Sequence, residues 1–475
     1  MENEKVERKE EERLHVAMFP WFAFGHINPF IHLSNKLSSH GVRISFLSAS
    51  GNIPKIKYSL VQSDNTQIIP LHIPTIEGLP PGHENTSNMT DDSMPELLKL
   101  ALDQMQPQIK TLLAHLKPHI VFIDFAQYWL PNLVSELNIK TVHFCVYSSI
   151  ACSFNYLASM KQATTKITLP NVEDLKKPPK GHPKPSLSIK TFEAENMLYL
   201  FRSFYGGPPA IMRSYLSTNG SDAIAFKSCN EMEGPYIDYI KSCVGKPVLL
   251  TSLTLPEPPS SLLEPKFSIW LAQYPPKSVI FCSFGSESFL EDDQIKELAL
   301  GLELTHLPFI LVLNFLESSE PTRLDQALPS GFMERVKERG MVQTGWVQQQ
   351  QILAHENVGC YVSHSGFGSI LEALIGDCQL VFLPVKCDQF FNSKLFGLDL
   401  NVGIEVKRRD EDGYFDKFDV LEAVKTVMVK VDREPSKSIR TNQRKWREFV
   451  MNKEIQDKYI CDLVRDLKAL AWKDD

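Results

Sequence analysis

The chain has 475 residues, enough for two large α/β domains or two to three of ordinary size. Hydrophobic residues make up 43% and charged residues 23%, which excludes disorder over most of the chain. Lysine and arginine total 50 against 57 aspartates and glutamates, a net charge of −7, so no general attraction to nucleic acid or an anionic membrane is expected.

Short β-branched or aromatic runs alternate with amphipathic stretches along the chain. Leu14–Pro20, Arg43–Ala49, Thr66–Pro74, His119–Phe125, Lys140–Val146, Ala223–Cys229 and Pro247–Leu253 predict strands. Pro29–His40 and Pro95–Leu116 predict helices between them. Such alternation predicts a parallel sheet covered by helices on both faces. Prolines break the pattern at Thr254–Ser261; each fixes φ and removes a donor, so the segment reads as a semi-rigid linker. Strands resume at Ser278–Phe284, Pro308–Asn314, Gly340–Trp346, Val358–His364 and Gln379–Val385, with a strand-like Gly403–Lys407 and a helix-rich tail from Lys417. Two doubly wound, Rossmann-like halves are predicted: residues 1–253 and 267–450, joined by 254–266, with 451–475 a C-terminal helix packing back on the first half. The cleft between such halves is the default ligand site. Lys176–Pro185 reads as a solvated loop, or alternatively as a flap near a substrate.

Nine cysteines are scattered without a Cys-x-x-Cys pair, which disfavours a zinc ribbon or a thioredoxin-like site and predicts buried free thiols. Met1–Arg13 is charged rather than apolar, and no apolar run would span a bilayer, so a cytosolic location and no membrane insertion are expected. The sequons at Asn85, Asn88 and Asn219 are then expected to be chance matches.

His26 follows the first strand, in a turn permitted by Gly25 and ahead of a helix whose first turn suits Pro29. Open α/β sheets place ligands at that strand end, so His26 is a candidate general base; a capping or core histidine is its other role. Asp124 ends an apolar strand, where an unpaired carboxylate is costly. It either orients His26 or caps the helix near Leu130–Leu137. No Gly-x-Ser-x-Gly elbow accompanies this pair, which disfavours acyl transfer.

The run His364-Ser365-Gly366-Phe367-Gly368-Ser369 links the strand Val358–His364 to a helix at Ile370–Ile375. Strand, Gly-rich turn and helix N-terminus form a site for phosphate, to which His364 and Ser369 add donors. Glu372, one turn on, suits ribose hydroxyls, whereas Leu371 stands where a dinucleotide fingerprint has its third glycine. Ser283-Phe284-Gly285-Ser286-Glu287 is a second candidate phosphate turn, or a plain β–α turn; two such turns suit a diphosphate. Asp410-Glu411-Asp412 matches an Asp-x-Asp metal signature in form, but reads as an acidic turn, so no metal or other cofactor is expected.

Trp346-Val347-Gln348-Gln349-Gln350-Gln351-Ile352-Leu353-Ala354-His355, His364–Ser369, Glu372, Pro384 and Asp388-Gln389 resemble the C-terminal signature box of plant UDP-dependent glycosyltransferases. Glu77–Gly82, Glu233–Tyr236 and the Gln-rich start of the box resemble the subgroup that extends a sugar on a flavonoid or related glycoside. The resemblance implies a GT-B fold and an inverting, metal-free transfer by a monomer, with a UDP-sugar and a small-molecule glycoside as partners. It implies that His26 is the base and Asp124 orients it; that Trp346 and Val347 hold uracil, and Gln349 and Glu372 ribose; and that Ser286, His364, Ser369 and the Gly366–Gly368 turn hold the diphosphate. Asp388 and Gln389 would bind the transferred sugar, with Gln389 favouring glucose. Trp21, Phe22, Tyr147 and Ser148 are candidate walls of the acceptor pocket. The family usually has Cys, Trp and Asn at Ser365, Phe367 and Gly368; the changes at 367 and 368 bear on the donor sugar.

Overall fold

The computed structural model describes residues 13–88, 93–155, 170–259, 261–315 and 321–472. Most of the N-terminal charged run, Met89 and Thr90 of the second sequon, and Ser260 of the linker lie outside the described residues. Every predicted strand is present. The first half holds β1 (His15–Phe19), β2 (Arg43–Ala49), β3 (Thr66–Leu71), β4 (Ile120–Ile123), β5 (Lys140–Cys145), β6 (Ala223–Phe226) and β7 (Val248–Leu250) in the order β3-β2-β1-β4-β5-β6-β7. The second holds β8 (Val279–Ser283), β9 (Phe309–Leu313), β10 (Gly340–Thr344), β11 (Val358–Ser363), β12 (Gln379–Phe382) and β13 (Gly403–Glu405) in the order β10-β9-β8-β11-β12-β13. All pairings are parallel. Both faces of each sheet are covered, so the central strands are apolar along their length rather than alternating.

In each sheet the strand order reverses beside the first strand of that half, and β1 pairs with both β2 and β4. Such a switch point opens a crevice at the strands' C-terminal ends. His26 and Asp124 follow β1 and β4; Ser286 and His364 follow β8 and β11, which are neighbours in the other sheet. Topology alone therefore gathers four of the candidate residues at facing edges.

Three local predictions need correction. The helix expected from Pro29 begins at Phe24, and the N–H groups of His26 and Ile27 both return to Ala23 O. Gly25 thus lies in the helix without a positive φ. The helix expected over Pro95–Leu116 is two, Met94–Gln104 and Gln106–Leu116, because Pro107 lacks an N–H and suits only a first turn. The loop Lys176–Pro185 is solvated only in part: Lys177, Lys180 and Pro183 are exposed, but His182 is buried against Ser153, and Lys184 pairs with Asp399 of the second half.

The linker runs without regular structure to a helix at Pro265–Leu271. The helix Lys453–Ala471 sets Ile460, Leu463 and Leu467 into the apolar cluster of Val16, Ile44 and Ile120. The halves also meet through buried Glu193 and Lys394, 3.0 Å apart, and through Thr86, which donates to Glu287 at 2.5 Å. All nine cysteines are free thiols, five of them buried. Among the described residues, no helix is long and apolar enough to cross a membrane.

Candidate active site

His26 and Asp124 meet across β1 and β4: Nδ1 lies 2.8 Å from Asp124 Oδ2. A carboxylate only accepts, so Nδ1 carries the proton and Nε2 is the free lone pair of the neutral ring. Asp124 is itself fixed by donors. Phe125 N–H donates to Oδ1 at 2.7 Å and Trp21 N–H to Oδ2 at 3.3 Å. Asp124 also caps, but the short turn Phe125–Gln127 rather than the helix Leu130–Val134, which Trp129 precedes as cap, and it does so while gripping the imidazole. Burial alone would lower the His26 pKa; the charge and hydrogen bond of Asp124, with Glu287 and Asp388 behind them, raise it above the ordinary 6.5. Glu287 and Asp388 belong to the second half, so the base faces the opposite wall of the cleft.

Tyr147 stands over the free nitrogen. Its hydroxyl donates to Nε2 at 3.3 Å, and its ring meets the imidazole edge-on. Of the other expected acceptor-wall residues, Trp21 lies 6.1 Å ring to ring from Phe125. Phe22 is fully buried in the core beside Phe19, so it backs the wall rather than forming its surface. Ser148 is also buried, and its hydroxyl has no partner among the described residues.

On the second half, the turn after β11 is drawn tight by Ser365, a non-glycine residue at φ +68°. Its helix begins at Phe367 with Gly366 as the cap, three residues earlier than the sequence suggested, so Gly368 and Ser369 fall in the first turn. The His364 ring is clasped by two glycines: a Cβ would come within 3.0 Å of it from Gly285 and 2.5 Å from Gly366. Burial lowers the His364 pKa to about 4, so the ring is neutral at physiological pH, and its Nδ1 is unpartnered among the described residues. It can offer a hydrogen bond to an anion but no charge; the helix N-terminus supplies the electrostatic component. Ser286 is exposed in the facing turn, where Gly285 adopts φ +69°.

Gln349 ties the next layer together. Its amide N–H groups donate to Ser369 Oγ at 3.1 Å and Glu372 Oε2 at 2.9 Å, while its oxygen accepts from Ser283 at 3.0 Å. Trp346 is 78% exposed beside buried Val347, an indole face open to a ligand. Asp388 accepts from Asn392 at 3.0 Å, and burial raises its pKa. Gln389 differs from expectation. Its oxygen accepts from Val385 N and Lys386 N of its own loop at 2.9 and 3.0 Å, and its amide donates at 3.0 Å to Ser288 in the segment after β8, so both ends of the side chain already have partners. Asp410 accepts from Thr191, and Asp412 pairs with Arg409, as an acidic turn would.

Lys227, Glu96 and Lys99 escaped the sequence reading, and Glu233 was named there only within a subgroup motif. Lys227, buried just past β6, has its pKa lowered to about 8 by burial; Glu372, in the second half, is the charge that opposes this. A charged residue ending an apolar strand was the signal that marked Asp124, and it marks Lys227 equally. Glu233, fully buried, accepts from Ile150 N at 3.0 Å and Ser228 at 2.6 Å, which fixes the segment after Tyr147. Lys99 pairs with Glu96 at 2.6 Å beside the Phe125 ring.

Residues 269–432 match the family described as UDP-glucoronosyl and UDP-glucosyl transferase. The chain is 53% identical to an anthocyanidin-3-O-glucoside rhamnosyltransferase of Petunia hybrida, over 99% of both chains. It is 38% identical to an anthocyanidin 3-O-glucoside 2''-O-glucosyltransferase of Ipomoea purpurea, over 96% of this chain and 98% of that one. Among solved structures, Glycyrrhiza uralensis UGT73P12 complexed with glycyrrhetinic acid 3-O-monoglucuronide superposes with a TM-score of 0.78 at 20% identity, over 97% of each chain.

Proposed function

The chain belongs to the family of UDP-glucoronosyl and UDP-glucosyl transferases and is a glycosyltransferase of the GT-B fold, and from that premise we propose that it transfers sugar from a UDP-sugar to a hydroxyl of the sugar on a flavonoid or similar small-molecule glycoside. The observation that carries the mechanism is the His26–Asp124 pair, which leaves Nε2 with only the Tyr147 hydroxyl as its partner among the described residues, at 3.3 Å. His26 Nε2 takes the proton of the acceptor hydroxyl, and Asp124 stabilises the imidazolium that forms. The oxygen attacks the anomeric carbon from the face opposite the diphosphate, with inversion. UDP leaves into the turn formed by Gly366, Gly368 and Ser369, where helix N–H groups, Ser286 and neutral His364 receive it. Glu372 and Gln349 hold ribose, Trp346 and Val347 hold uracil, and Asp388 orients the transferred sugar.

The donor we propose is UDP-rhamnose, ahead of the UDP-glucose suggested by Gln389. Two observations support this choice: the Gln389 side chain is already bonded, its oxygen within its loop and its amide to Ser288, and the relative at 53% identity is named a rhamnosyltransferase while that at 38% is a glucosyltransferase. The test is a donor-by-acceptor matrix. UDP-rhamnose, UDP-glucose and UDP-xylose are offered with quercetin and quercetin 3-O-glucoside, and product linkage is read by NMR. Turnover of the glucoside with UDP-rhamnose is expected; turnover of the free aglycone alone would refute the acceptor assignment. His26→Ala should abolish transfer while UDP still binds, and undiminished turnover would refute the base.

A further inference from the structure

The attacking hydroxyl belongs to a sugar, and that sugar needs polar partners beside His26. The helix Met94–Gln104 presents Glu96 and Lys99 there, one turn apart and 9% and 6% exposed. Lys99 Nζ donates to Glu96 Oε1 at 2.6 Å, and the Tyr199 hydroxyl donates to the same oxygen. Nζ lies 5.8 Å from the centre of the Phe125 ring, which in turn stands 5.5 Å from the His26 imidazole. The pair thus borders the base through the Phe125 ring.

Stability does not explain this pair. Desolvating two charges costs about as much as their attraction returns, and well-packed apolar residues do as well or better. Nor is its hydrogen-bonding capacity filled. Glu96 Oε2 and two of the three Lys99 donors have no partner among the described residues. Open donors and an open acceptor beside aromatic rings match a sugar, whose hydroxyls both donate and accept and whose C–H face packs on a ring.

The geometry points to Glu96 and Lys99 as the subsite for the sugar already on the acceptor, gripping its hydroxyls while one of them reaches His26 Nε2. This rests on the reading of the acceptor as a glycoside. Two changes test it, Lys99→Met and Glu96→Gln, with Lys99→Arg as the conservative control. Quercetin 3-O-glucoside and cyanidin 3-O-glucoside are the acceptors, quercetin is the sugar-free comparison, and UDP affinity is read by calorimetry. Lys99→Met should raise KM for the glucosides about tenfold or more, with a smaller fall in kcat and UDP affinity at its wild-type value. Lys99→Arg should recover part of the loss. If Lys99→Met fails to bind UDP, the near-isosteric Glu96→Gln decides. Glucoside KM values within twofold of wild type in the variants that bind UDP would overturn the subsite. Wild-type turnover confined to quercetin would instead overturn the glycoside reading beneath it.

Discussion

Replacing Asp124 by asparagine keeps the shape of the side chain and removes its charge. Every group on this carboxylate is a donor: His26 Nδ1 at 2.8 Å, Phe125 N at 2.7 Å and Trp21 N at 3.3 Å. Asparagine has one acceptor oxygen. If that oxygen keeps the Phe125 N–H, the amide NH2 faces the His26 ring, which must turn a lone pair to Nδ1 and carry its proton on Nε2. The acceptor hydroxyl then meets a proton instead of a base. Loss of the correct tautomer is worth about 10³- to 10⁴-fold in turnover, or about 4–5.5 kcal/mol. A second readout has an opposite sign. Asp124 raises the His26 pKa against burial, so without it the pKa falls. The base must be neutral to act. Activity of the wild type therefore rises through an acid limb above the ordinary 6.5, and that limb moves to lower pH in Asp124→Asn even as the plateau drops. The assay is initial UDP release at saturating donor from about pH 5.5 to 9, with UDP affinity as the control for folding. A variant keeping more than about a tenth of wild-type turnover, or one with an unmoved acid limb, would refute this account of the pair.

Other changes probe the surrounding layers. Gly366→Ala places a Cβ 2.5 Å from His364 Nε2, and the ring cannot retreat past Gly285, so UDP affinity should fall about tenfold or more by calorimetry. Wild-type affinity in that variant would mean that the His364 position is unimportant for UDP. Glu233 has its pKa raised to about 7 by burial against the donors on it, so it folds as the acid while the unfolded chain ionises near the ordinary 4.5. Its contribution is fully present below pH 4.5 and is lost as pH rises through 7, a change of about 3 kcal/mol at most. Thermal melts of Glu233→Gln should decline less than wild type between those pH values; parallel declines would show that Glu233 is ionised in the fold. Arg213 holds Asp103 through two hydrogen bonds at 2.7 and 2.5 Å, and Arg213→Met should cost about 2–3 kcal/mol in denaturant unfolding, because among the described residues the half-buried Asp103 carboxylate keeps only the Trp129 N–H at 3.1 Å. A loss below about 1 kcal/mol would place that pair with ordinary surface ion pairs.

The strands were legible because a parallel sheet covered on both faces demands continuous apolar runs, and nothing else in the chain resembles them. Helix starts were less legible. The Phe24 start depends on backbone bonds back to Ala23 O, and a side-chain pattern does not carry that information. The break at Pro107 was present in the sequence but was outvoted by the apolar periodicity around it. The loop Lys176–Pro185 looked solvated because lysines and prolines usually are; it is anchored by His182 on Ser153 and Tyr236 and by Lys184 on Asp399, more than two hundred residues away.

For the site, the sequence alone determined which residue types stand at the C-terminal ends of strands: His26, Asp124, Ser286 and His364. Parallel topology forces those ends to one edge of each sheet, so the candidates follow from strand assignment and chemistry without any distance. Only the tertiary structure decided which atoms meet. It put the Asp124 oxygen on Nδ1 and the Tyr147 hydroxyl on Nε2, tied the Gln389 oxygen to its own loop and its amide to Ser288, and buried Phe22 behind the wall. It also brought Glu96 and Lys99 beside Phe125, and Lys227 within reach of Glu372, pairings that no local pattern encodes. Sequence periodicity reports the environment of one segment against its own core. A cleft is built from segments of two cores, and its contacts exist only once both have folded.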